Sequence, residues 1–133
     1  MGAFCVCAAV VAQVPANVWH GVYSDAQAQH GQEVYQRSCQ QCHGPELAGA
    51  DMTPALVGGT FTSNWDGLTV GDLYDRIRTT MPADRPGTLS RQDITDVIAF
   101  MLKRNGWPSG PSPMAAEPLA LKQIAVSALK PER

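Results

Sequence analysis

The chain has 133 residues, 44% of them hydrophobic and 17% charged, with a formal net charge of −2 and an isoelectric point near 5.8. That length suits one domain with a modest core, and the slightly acidic balance argues against nucleic acid as a partner. Lys103-Arg104 is the single contiguous Lys-Arg pair, so a polybasic membrane patch is excluded.

Residues 3–12 form an apolar run of signal-peptide length, too short for a membrane-spanning helix. The positive segment that normally precedes such a run is missing: a start codon assigned too late would explain this, and so would a run that is not a signal. The expectation is a signal peptide over 1–16, cleaved after Ala16 with Val14 at the small-residue position. Cys5 and Cys7 would leave with it. The mature protein would then be periplasmic, without stable membrane insertion.

Ser24 and Gln27 have the spacing of a capping box, and Tyr23 with Ala28 that of a hydrophobic staple, so a helix is predicted over 25–39. It delivers Cys39-Gln40-Gln41-Cys42-His43, the attachment spacing of c-type haem. Two thiols can form thioethers to the haem vinyl groups while the histidine supplies an axial nitrogen. A redox dithiol would want a βαβ setting and has no use for the histidine. A zinc site would need a fourth ligand, which His20, His30, Cys5 and Cys7 do not offer at finger or ribbon spacing. From 44 to 67 the chain is rich in Gly, Pro, Thr and Asn, which predicts an irregular loop around a cofactor.

Thr69 with Asp72 and Ser90 with Asp93 repeat the cap spacing, with Leu68 and Leu73, and Leu89 and Ile94, as staples, and predict helices over 70–80 and 91–105. The first ends at Met81. Pro82 disfavours helix at the residue before it, so Met81 is extended, and it is the best candidate for a sixth haem ligand. Met52, Met114, His30 and an open site are the alternatives. Met101 is not one, because Ile94, Val97, Ile98, Met101 and Leu102 share one helix face and read as core. Gly106 and Pro108 stop the last helix, and Pro111 and Pro113 continue an extended connector. Leu119, Leu121, Ile124 and Val126 would dock a short final helix on the domain or bind a partner, docking being the default.

Over about residues 24–105 the sequence resembles the class I cytochromes c. Gly31, Tyr35 and Cys39 with Val97, Phe100 and Met101 are similar to that family's crossed terminal helices, which gives Gly31 the job of close helix approach. The resemblance implies an all-α fold of three main helices and irregular loops around one covalent haem c. It implies His43 and Met81 as axial ligands, the Pro54 carbonyl as acceptor of the imidazole proton, and Trp65 beside a haem propionate. The domain would span 17–106, with 107–133 as a connector and docked tail. Residues 18–24, the Trp65 segment, Thr79 to Pro82 and the long tail resemble small periplasmic cytochromes c associated with quinoprotein (PQQ) dehydrogenases.

The implied function is electron transfer without substrate chemistry, from a quinoprotein dehydrogenase to a terminal oxidase or another cytochrome. The alternative is a haem enzyme or gas or redox sensor with an open sixth position. A third possibility is a subunit or tethered module that docks on a dehydrogenase. Because Lys103 is the first lysine of the chain, the basic ring of many cytochromes is absent. Glu46, Asp51, Asp84 and Arg85 suggest a mixed or acidic docking face.

Overall fold

Three capped helices carry the architecture. The computed structural model describes residues 1–7 and 16–132; residues 8–15, which hold the second half of the apolar run and the approach to the expected cleavage point, lie outside the described residues. In chain order the elements are β1 (Ala16–Asn17), a 3₁₀ turn (Val18–His20), α1 (Asp25–Ser38), α2 (Gln40–His43), α3 (Gly59–Trp65), α4 (Val70–Thr80), α5 (Arg91–Arg104), α6 (Pro118–Leu121) and β2 (Ile124–Ala125). Among the described residues no helix is long and apolar enough to cross a membrane.

The hydroxyls of Ser24, Thr69 and Ser90 accept backbone N–H bonds from Gln27, Asp72 and Asp93 and so start α1, α4 and α5. Only at Thr69 does the third residue return the bond, Asp72 Oδ2 accepting the Thr69 N–H at 2.9 Å. The other two take tertiary partners instead. Gln27 turns inward to Asp96 and Met114, and Asp93 pairs with Arg37 at 3.1 Å. An unanticipated reciprocal box forms between Asn17 and His20.

α1 crosses α5 at Gly31. A Cβ there would fall on the carbonyl oxygen of Asp96 and 3.0 Å from Phe100 Cβ, so only glycine permits the contact. One turn on, the Tyr35 and Phe100 rings sit 5.4 Å apart, tilted by 49°. Ile94, Val97, Ile98, Met101 and Leu102 are all buried, as their spacing predicts.

Two expectations need correction. The 44–67 segment is not wholly irregular, since residues 59–65 form α3. Its Gly, Thr, Ser and Asn are weak helix formers, but Phe61 is buried and its ring lies 6.3 Å from that of Trp65 one turn later, so packing overrides propensity. A strand pair also exists where none was anticipated: β1 and β2 pair in parallel, Ala16 with Ile124 and Asn17 with Ala125. Two residues are too few to show alternation.

The tail wraps back over the helices. Tyr23 donates from its hydroxyl to the Trp107 carbonyl (2.6 Å), Gln27 brackets the Met114 backbone (2.8 and 3.1 Å), and both Trp19 and Trp107 donate indole N–H bonds to the Ser127 carbonyl (2.9 and 3.2 Å). Leu121, Ile124 and Val126 are buried, whereas Leu119 is exposed.

Candidate haem site

α1 stops at Ser38, and Cys39 ends it by donating its N–H to the Tyr35 carbonyl at 2.9 Å. The chain turns at once into α2, where the N–H groups of Cys42 and His43 both donate to the Cys39 carbonyl (3.2 and 3.0 Å). This single turn brings Cys39, Cys42 and His43 together. Cys39 is partly buried, Cys42 exposed, and both are free thiols. Burial pushes the Cys39 thiol up to about 11, so at neutral pH it is protonated. Cys5 and Cys7 are exposed, far from this turn in sequence.

His43 is buried. Its Nδ1 lies 2.9 Å from the Pro54 carbonyl oxygen. A carbonyl can only accept, so Nδ1 donates its proton here, and in the neutral ring that leaves the lone pair on Nε2. Among the described residues Nε2 takes no hydrogen bond. The carbonyl is brought there by a tight reversal: Gly49 donates to the His43 carbonyl (2.9 Å), Ala50 and Thr53 bridge, and Leu56 donates to Leu47 (2.8 Å). Gly49, at φ +69°, has Ala55 N and Pro54 C 2.8 Å from where a Cβ would stand. The local sequence signal for this reversal is Gly49, which belongs to no motif.

Met81 caps α4 with extended angles (φ −120°, ψ 149°), as Pro82 requires, and donates its N–H to Ile77 at 2.9 Å. Its side chain is partly buried against the core. Tyr74 and Ile77 fall at i and i+3 on one face of α4, which ends one residue before Met81. The Tyr74 hydroxyl is fully buried and without a hydrogen-bond partner among the described residues.

The other candidates are placed elsewhere. Met52 is 96% exposed, Met114 is buried in the core with its backbone held by Gln27, and His30 is exposed on α1. Trp65 is partly buried at the end of α3, its indole N–H unpaired among the described residues. Three of the four expected docking charges are paired within the chain, Glu46 with Arg104 at 3.0 Å and Asp84 with its neighbour Arg85 at 3.7 Å. Among the described residues no three His, Cys, Asp or Glu side chains gather as a metal-ion site.

The donor set fits a covalent haem. Two thiols and one imidazole stand on one turn, and that imidazole has one nitrogen committed to a carbonyl. A buried tyrosine hydroxyl with no partner in the described chain is the group expected beside a polar substituent that is not polypeptide.

A family model described as "Cytochrome C oxidase, cbb3-type, subunit III" matches residues 26–101, more than half of the chain. No curated protein matches. Among solved structures, the crystal structure of the sulfane dehydrogenase SoxCD from Paracoccus pantotrophus is similar with a TM-score of 0.54 and 22% identity, over 81% of this chain and 61% of that one. At that identity the likeness bears on the fold alone.

Proposed function

The chain belongs to the family of the cytochrome c oxidase, cbb3-type, subunit III domain, and on that footing, as a c-type cytochrome of class I fold with one haem c, we propose that it carries single electrons in the periplasm from a quinoprotein dehydrogenase to a terminal oxidase or another cytochrome. The observation that carries the electron-carrier reading is the His43 Nδ1 to Pro54 carbonyl bond at 2.9 Å, which leaves Nε2 as the nitrogen available to iron on the Cys39–His43 turn.

When bound, the haem supplies an iron that gains and loses one electron. Cys39 and Cys42 would hold it by adding each S–H across a vinyl group, a step that releases nothing. His43 would give Nε2 to the iron, and the Pro54 bond would fix the ring and raise its basicity. Met81 would give its sulfur to the same iron. Trp65 would donate its unpaired indole N–H to a propionate. With His43 and Met81 both bound to the iron, an electron would pass without any substrate reaching the metal.

The dehydrogenase partner is supported by the resemblance of residues 18–24 and 79–82 to cytochromes of that association. The periplasmic location is supported by the apolar run at residues 3–12. Stopped-flow mixing with purified quinoprotein dehydrogenases of the same cell tests the donor. Rapid reduction of the haem by one of them is expected, and failure of all would remove that donor while leaving the electron carrier intact.

A further inference from the structure

We infer that the C-terminal tail, bound through Gly71 and Lys122 to the N-terminal half of α4, is a positioning element for Met81. The inference rests on Met81 being the sixth ligand.

The tail meets α4 and its approach at successive points. Gly67 donates to the Val126 carbonyl (3.0 Å), Val126 donates to Leu68 (2.8 Å), and Thr69 bridges Ala125. At Gly71 the backbone of Lys122 lies where a side chain would stand, its N 2.7 Å and Cα 2.8 Å from an added Cβ. The Lys122 ammonium then spans two carboxylates on α4, Asp72 at 3.0 Å and Asp75 at 2.9 Å. Hydrogen bonds to these groups raise the Lys122 ammonium above its ordinary value, and the Lys122 bond holds the Asp72 carboxyl below its own. Leu121 is fully buried beneath.

The other half of α4 is held far less. Arg76, Arg78, Thr79 and Thr80 are exposed, and of residues 76–80 only Ile77 is buried. Met81 is tied to that half by its N–H bond to Ile77. A helix is stiff over this length, about 15 Å from Gly71 to Met81 at about 1.5 Å per residue, so a tilt imposed where the tail sits is delivered at the methionine. Ion pairs this exposed are individually weak; the backbone seated on Gly71 gives the contact its rigidity.

Imidazole binding to the ferric holoprotein reads the fraction of molecules in which Met81 is off the iron, because apparent affinity scales with the population of the competent state. Gly71→Ala is expected to tighten imidazole binding about fivefold or more and to lower the pH at which the red Met-sulfur charge-transfer band is lost. Lys122→Gln, which leaves the packing intact, is expected to do the same to a smaller degree. Gln27→Ala loosens the tail at Met114, away from α4, and is expected to lower thermal stability with imidazole affinity unchanged. Unchanged affinity in both Gly71→Ala and Lys122→Gln, or an equal rise in Gln27→Ala, would overturn the inference. If Met81→Ala binds imidazole no better than wild type, the ligand assignment itself fails.

Discussion

His43 and its backbone partner show how unevenly a site is written at the level of residues. Cys39, Cys42 and His43 are readable because thioether attachment demands those three side chains at fixed local spacing. The Pro54 acceptor is a carbonyl, which every residue has, so only the reversal at Gly49 makes it special, and a lone glycine does not say which carbonyl its turn presents. Tyr74 carries no local signature either; its unpaired hydroxyl emerges only when burial is known. Burial also pushes the hydroxyls of Tyr23 and Tyr35 up to about 12, each while donating to a carbonyl, of Trp107 and Gly44 respectively. A folded-state value above the unfolded 10.0 means their contribution is fully present below pH 10 and is lost as pH rises through about 12. Denaturant unfolding of the holoprotein should therefore show stability falling over that window, with a smaller fall in Tyr35→Phe. An identical alkaline slope in the variant would refute this.

At the scale of elements, the three long helices were legible because their caps and apolar periodicity agree. The short ones were not, because tertiary contacts create them: α3 is held by Phe61 and Trp65, and β1 by a tail more than a hundred residues away. Even the capping boxes were half right, since Gln27 and Asp93 prefer partners on other helices. Two substitutions separate these effects. Thr69→Ala removes a reciprocal cap and should cost about 1 kcal/mol. Gly31→Ala would gain about 0.5–1 kcal/mol in an isolated helix, but here its Cβ meets the Asp96 carbonyl, and overpacking of this kind costs about 1–3 kcal/mol. The expected outcome in denaturant melts of the holoprotein is net destabilisation. A more stable Gly31→Ala protein would mean that α1 and α5 do not cross at this residue.

Across the whole molecule, charge gives little for a partner to steer by. The net charge is −2, and Glu46 and Asp84 are matched by Arg104 and Arg85, so the mixed face expected from the sequence is largely neutralised within the chain. The exposed Met52 side chain, nine residues past His43, offers apolar surface instead. Encounter with a redox partner should then rest on a small contact of at most about 1,200 Å² with weak focusing of charge. Second-order electron-transfer rates measured across a salt series should change only modestly. A steep fall as salt screens charge would place the docking energy in ion pairs.

The claim on which the rest depends is that His43 and Met81 close the iron, and the ferric absorption spectrum of the haem-loaded protein tests it most directly. The expected result is a weak red charge-transfer band from methionine sulfur, present in wild type, Met52→Ala and Met114→Leu and lost in Met81→Ala. A band that survives Met81→Ala, or a wild-type spectrum of a five-coordinate iron, would contradict it.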